Sequence, residues 1–393
     1  MSRDVVILDG ARTAIGTFGG ALAAVPPTET AAHVARAALE RSGVEGGEIG
    51  HVVFGHVINT EPKDMYLSRV AAMGAGIPDT TPAMNVNRLC GSGAQAVVSA
   101  LQSVAMGDAD YALAGGAEAM SRSPHALQTA RFGQKMGDTK MLDMMIGALS
   151  CPFGTGHMGV TAENVAEEHQ ITREEQDAFA LGSQQRAGAA IAEGHFRGQI
   201  APMTIKGRKG DIVVDTDEHP KPQTTAEDLA KLRPAFRKDG TVTAGNASGI
   251  NDGAAALVLA DAGTAASSGR TVRAHVLGYA HAGVRPEVMG LGPIPAVTRL
   301  LEKIGLDAEE FDVIESNEAF AAQACAVNKG LGLDTARVNP NGGAIALGHP
   351  IGATGAILVL KCLAELERTN TKRGLVTMCI GGGQGIALAL ERP

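Results

Sequence analysis

The sequence predicts an α/β layered fold made of two similar halves, with a long segment inserted before the first half closes. Three observations predict it. Short apolar runs alternate with helical patterns over residues 1–121 and again over 271–393. Residues 122–250 break that rhythm with frequent Met and Gly and a charged, proline-containing stretch at 206–237. Residues 87–101 and 339–363 share one order: a polar loop, a Gly-rich junction, then an apolar helix. Each is followed by a buried strand ending in glycines, at Gly115-Gly116 and Gly381-Gly382-Gly383. Read as a duplication, this puts Cys90 and His349 at matching helix starts.

In chain order, residues 5–8 read as a strand and 28–42 as a helix opened by a Thr28 cap with Glu29 behind it. A strand at 51–55, a helix at 65–73 and a strand at 110–115 follow. Residues 251–270 return to this style with an apolar run at 254–260, so the first half comprises 1–121 plus 251–270. Inside the insertion, 161–169 and 173–193 read as amphipathic helices. The insertion either folds over the mouth of a site or is an ordinary surface subdomain. The second half, 271–393, reads as strand 271–280, helix 296–304, strand 312–315, helix 319–329, Gly-opened helix 348–366 and strand 374–378.

Composition excludes several classes. With 45% hydrophobic and 19% charged residues over 393 positions, the chain is neither disordered nor a membrane protein, and it suits two or three domains. A net charge of −8 and only 3% aromatic residues argue against nucleic acid as partner. The N-terminal stretch reads as a strand rather than a signal peptide, and no apolar run suggests a membrane span. The five cysteines show neither pairing nor Cys-x-x-Cys spacing, and no His-Glu-x-x-His occurs. No metal site is therefore expected, and a reducing, cytoplasmic setting is.

Four blocks carry chemistry. In Leu89-Cys90-Gly91-Ser92-Gly93, Cys90 falls at a strand-to-helix junction. Backbone N–H groups at a helix start would stabilise a thiolate and lower its pKa, making Cys90 a nucleophile. The bland alternative is a small buried thiol. In Gly348-His349-Pro350, the imidazole is either a base that takes a thiol proton or a helix cap. Cys379 ends a strand against Gly381-Gly382-Gly383, whose N–H groups can cradle an anion; the Lys-[Ser/Thr] of a phosphate loop is missing. Asn317, in Asn317-Glu318-Ala319-Phe320, is either an N-cap or a group that orients a water.

Taken together and in this order, the four blocks resemble the thiolase family over essentially the whole chain, most closely its bacterial biosynthetic members. Gly156-His157-Met158-Gly159 and Ala244-Gly245-Asn246-Ala247-Ser248-Gly249 in the insertion add to the likeness. The resemblance implies a duplicated α-β-α-β-α five-layer core, an inserted loop domain that binds coenzyme A, and a homotetramer of paired dimers. It implies reversible Claisen condensation of two acetyl-CoA to acetoacetyl-CoA through an acyl-Cys90, without a prosthetic group. His349 would activate Cys90 and help hold the thioester oxyanion with a water on Asn317. Cys379 would move the Cα proton, and the N–H groups of Cys90 and Gly381 would hold the acyl-enzyme oxyanion. Leu149, His157, Met158, Phe236, Ala244, Ser248, Ala319 and Phe320 would line the pantetheine path, with Lys221 toward the nucleotide. Many biosynthetic relatives carry Arg at Lys221 and Ser at Asp228, so the nucleotide end departs from the pattern. A degradative 3-ketoacyl-CoA thiolase is the near alternative. A ketosynthase-like condensing enzyme and a non-catalytic acyl-CoA or lipid carrier are the distant ones.

Overall fold

The computed structural model describes residues 3–207 and 210–393. Met1, Ser2, Arg208 and Lys209, at the head of the first stretch and inside the charged one, lie outside the described residues.

The first half contributes β1 (Val5–Arg12), β2 (Ile49–Gly55), β3 (Ala83–Val86), β4 (Tyr111–Ala119) and β5 (Asn251–Asp261). The second contributes β6 (Ala274–Gly283), β7 (Val313–Ser316), β8 (Arg373–Ile380) and β9 (Gln384–Glu391). The strand order is β1-β5-β4-β2-β3 in one half and β6-β9-β8-β7 in the other. Pairing senses agree as well: β1 is antiparallel to β5, β5 to β4, and β4 parallel to β2, as β6 is to β9, β9 to β8, and β8 to β7. Even the β2–β3 pair has its counterpart, a parallel bridge from Ile314 to Val338. Two residue pairs between β1 and β6 join the halves.

Helices complete the layers. α1 (Pro27–Ser42) and α2 (Leu67–Gly74) cover one face of the first half-sheet, burying Val6 and Leu8 of β1. The alternate residues Val5 and Ile7 face the other way, as the two-residue period of a strand requires. They meet a central layer of α3 (Ser92–Met106) and α8 (Thr354–Thr369), which also packs against Val376, Met378 and Leu388 of the second half-sheet. Between these two lie, in chain order, α4 (Met158–Glu168), α5 (Arg173–Glu193), α6 (Pro293–Ile304) and α7 (Ala321–Leu331). Ala296, Val297 and Leu300 of α6 cover the outer face of the second half.

Several expectations need correction. Thr28 is not a cap: α1 starts at Pro27, whose fixed φ suits the first helical position. β4 does not end at Gly115-Gly116 but continues to Ala119. A Cβ on Gly116 would overlap the backbone of Gly352 and Ala353, so that glycine is where the loop carrying His349 lies down on the strand. The 18 residues Leu89–Met106 are long and apolar enough to cross a membrane, against expectation. Their apolarity has a different cause: α3 lies between two half-sheets and meets apolar side chains on both sides. His349 does not open a helix; α8 begins five residues later, after tight turns in which Ala353 and Thr354 donate to the Pro350 carbonyl.

Candidate active site

Two helix starts bring the key side chains together. Gly93 on α3 and Gly355 on α8 leave no room for a Cβ, because each faces the other helix's backbone. The helices therefore touch at their N-terminal ends, and the loops before them, with Cys90 and His349, converge. Before α3 the chain turns sharply. Leu89 has φ +43°, a left-handed conformation that costs a branched residue on the order of 1–2 kcal/mol. It is held by Asn87 Oδ1, which accepts from Leu89 N–H, and by Ser92 Oγ, which donates to the Leu89 carbonyl.

The second half supplies the rest. Ser316 of β7 pairs with Thr377 of β8, so Asn317 and Cys379 leave neighbouring strand ends. Asn339, itself at φ +47°, clamps that end: its amide accepts from Ser316 N–H and donates to the Ser316 carbonyl and Glu318. Asn317 is not an N-cap, since α7 begins only at Ala321. Instead its Nδ2 lies 3.4 Å from His349 Nε2, and its Oδ1 is buried without a hydrogen-bond partner among the described residues.

Cys90, His349, Cys379 and Gly381 line one cavity of about 560 Å³. The residues expected along the coenzyme arm line it too: Leu149, His157, Met158, Lys221, Phe236, Ala244, Ser248, Ala319 and Phe320. Inside it, His157 stacks on Phe236 at 4.8 Å, and Phe236 meets Phe320 edge-on at 6.1 Å. Asp228 is absent from the lining. It sits exposed at the start of the short helix Ala226–Ala230, capping it with Thr225, so its charge does not oppose an anion in the cavity. Sequence reasoning missed Thr17, Phe18, Met120, His219, Met289 and Ile351, which also line the cavity. They are scattered along the chain, so only folding reveals them. A larger, polar cleft of about 1060 Å³ holds none of the expected residues, and its Arg270 and Arg273 are engaged by Glu48 and by Asp9 and Glu367.

The electrostatics overturn one expectation. Burial pushes the Cys90 thiol up to about 11, despite hydrogen bonds to the sulfur from the backbone of Gly381 and of Cys90 itself. Desolvation of the thiolate outweighs the junction's dipoles. Burial likewise brings His349 down to about 4, and burial together with nearby Cys90 pushes Cys379 well up. The resting site is thus two thiols and a neutral imidazole. The tautomer follows from geometry. The Thr354 hydroxyl donates to the Pro350 carbonyl at 2.9 Å, so toward His349 Nδ1, at 2.7 Å, it acts as acceptor. Nδ1 then carries the hydrogen, and the Nε2 lone pair is the acceptor, met at 3.4 Å by the Asn317 amide.

This state has a pH signature. A base with its pKa near 4 stays neutral across the working range, and activity is lost only as pH falls toward that value. We expect kcat/KM to be flat from about pH 6 to 9, whereas a limb near 6.5, the ordinary imidazole value, would contradict the burial argument. Although its sulfur is desolvated, Cys90 as a residue is the most exposed of the five cysteines, so iodoacetamide should label it before the others, and the rate should rise about tenfold per pH unit in that window.

Two copies of one α/β half, with a thiol and an imidazole on the paired central loops and a second thiol on a facing strand end, form a site of the thiolase type. Residues 5–263 match the thiolase N-terminal domain and residues 270–392 the thiolase C-terminal domain, and the chain belongs to the thiolase family. It is 58% identical to the β-ketothiolase BktB of Cupriavidus necator, over all of both chains. It is 51% identical to the acetyl-CoA acetyltransferase of Pseudomonas aeruginosa, over 99% of this chain and 100% of that one. Among solved structures, the Bacillus anthracis acetyl-CoA acetyltransferase superimposes with a TM-score of 0.98 at 46% identity, covering 100% of this chain and 99% of that one. The human mitochondrial 3-ketoacyl-CoA thiolase in complex with CoA gives 0.96 at 42% identity, covering 100% and 98%.

Proposed function

We infer that this thiolase is an acetyl-CoA C-acetyltransferase, which condenses two acetyl-CoA reversibly to acetoacetyl-CoA and CoA through an acyl group on Cys90. The observation that carries the reading is the single cavity shared by Cys90, His349, Cys379 and Gly381 and continued by an apolar path to Lys221. Coenzyme A thioesters serve as substrate and product. Lys221, solvent-exposed at the outer end of the lining, is the cation available to their phosphates.

The chemistry follows from the resting state. His349 Nε2 takes the Cys90 proton as the sulfur adds to the thioester carbonyl. The N–H groups of Cys90 and Gly381, which already reach that sulfur, hold the new oxyanion. Such donors contribute about 3 kcal/mol each. The C–S bond to CoA then breaks, and Cys379 gives its proton to the leaving sulfur. The Cys379 thiolate so formed removes the Cα proton of a second acetyl-CoA. The imidazolium N–H and a water on Asn317 hold the enolate oxygen. The carbanion attacks the acyl carbon, and collapse returns Cys90, which takes its proton back from His349. Every proton is accounted for, and the site returns to two thiols and a neutral imidazole.

The test is an assay in both directions. We expect acetyl-CoA to yield acetoacetyl-CoA when product is trapped, and thiolysis to favour the four-carbon 3-ketoacyl-CoA over a ten-carbon one by at least tenfold. Faster cleavage of the longer chain would establish the degradative alternative instead.

The assembly is read the same way. Phe132 is 91% and Met136 89% exposed on the arm between β4 and α4, where Met141 and Leu142 are exposed as well. An apolar arm of this kind suits burial between copies, as in the homotetramer of paired dimers that family membership suggests.

A further inference from the structure

The stretch 217–221 has no regular secondary structure yet is firmly anchored. Asp217 accepts two hydrogen bonds from Arg12, at 2.7 and 2.9 Å, with both side chains fully buried. It also accepts from the Ile15 N–H at 2.8 Å. Glu218 donates its N–H to the Ile15 carbonyl and accepts from the N–H groups of Thr17 and Ala21. On the far side, Lys221 N–H donates to Gln184 Oε1 at 2.8 Å. These contacts fix the backbone on either side of His219 and leave its side chain free of any structural duty: neither ring nitrogen has a protein hydrogen-bond partner among the described residues.

That ring lines the cavity. Its Cε1–Nε2 edge lies over Gly249, where a Cβ would overlap it, and beside Ser248. Depth along the cavity follows from burial. His349 and Cys379 are buried, whereas Phe18 and Lys221, which also line the cavity, are exposed. Lys221, two residues on, is exposed, so His219 stands at the solvent side of the cavity, opposite in burial to His349 and Cys379. Its own burial and the charge of Lys221 lower its pKa, which keeps the ring neutral with one donor and one acceptor. A neutral imidazole with both nitrogens free matches a secondary amide, which offers one acceptor and one donor.

We propose that His219 is a positioning residue that hydrogen-bonds the amide of the pantetheine arm lying farther from the thioester, so that the enzyme selects acyl groups carried on the full arm. The inference rests on the reading of the cavity as an acyl-CoA site. It adds a group that distinguishes long carriers from short ones with no contact to the reacting carbons.

The experiment follows acetylation of Cys90 by intact-protein mass spectrometry from three donors. Acetyl-CoA and acetyl-pantetheine carry both amides, and S-acetyl-N-acetylcysteamine ends after the first. For His219→Ala, the donor concentration giving half-maximal rate should rise about three- to tenfold with acetyl-CoA and acetyl-pantetheine. It should not change with the short donor, and the maximal rate should stay within about twofold for all three. His219→Gln, which keeps one donor and one acceptor, should recover most of the loss. An equal penalty on all three donors would show that His219 merely shapes the loop, and no penalty on any would show that it reads nothing; either overturns the proposal. Failure of the unmodified enzyme to be acetylated by acetyl-CoA would instead refute the acyl-CoA reading itself, so the two failures are distinct.

Discussion

Changing Cys379 to Ser is expected to separate the two halves of the reaction. The variant should still take an acetyl group from labelled acetyl-CoA onto Cys90, and the label should persist, while acetoacetyl-CoA formation falls by about 10³-fold or more. The reason is the division of labour in the cavity. In the proposed mechanism, Cys90 meets the thioester with its own N–H and that of Gly381 as oxyanion donors, and the His349 Nε2 lone pair takes its proton. None of these groups is touched by the change. What is lost is the group that moves a proton at carbon. A serine hydroxyl is far less acidic than a thiol, and this position is 99% buried, where any anion is penalised further. Acetylation will slow somewhat, because Cys379 also protonates the departing sulfur, but free CoA can collect that proton from solvent. If the variant showed neither label nor product, the second thiol would belong to the first half-reaction, and the assignment of roles would be wrong.

Changing Cys90 to Ala should abolish both halves. No label should remain on the protein after acetyl-CoA is removed, and turnover should fall by about 10⁴-fold or more, because the sulfur flanked by the Cys90 and Gly381 N–H groups is gone. Cys379 is not a substitute, since burial and its partner sulfur hold it firmly as a thiol. The fold should be little affected. Cys90 lies in a half-exposed turn, and the bonds that shape the turn run through Asn87, Leu89 and Ser92. Binding should persist too, since the stacked His157, Phe236 and Phe320 do not depend on the sulfur. Label that survived in this variant would move the nucleophile elsewhere.

Much of this protein is legible in order along the chain. Strand and helix identity followed from the period of apolar residues, and α5 came out at the bounds its pattern gave. Duplication was readable because each half repeats one order of loop, glycine junction and apolar helix, and the shared strand order confirms it. Three of the four chemical blocks were visible because Cys90, His349 and Cys379 each have a glycine within two residues. The reason for the glycines was hidden. Gly93, Gly116 and Gly355 are small because backbones meet there, and which backbones meet is a matter of tertiary packing.

Protonation was decided only by the fold. Local sequence argues for an acidic Cys90, since a helix start stabilises an anion through nearby dipoles. Burial acts through the whole surroundings, and here it is the larger effect, leaving a neutral site that ionises only during catalysis. The same holds for His219, whose role depends on Arg12, Ile15 and Gln184, all distant in the chain. The order of residues fixes what chemistry is available, because residue types and local periodicity are written there. Which groups meet, and in what charge state, depends on desolvation and on contacts between segments far apart, and these exist only once the chain has folded.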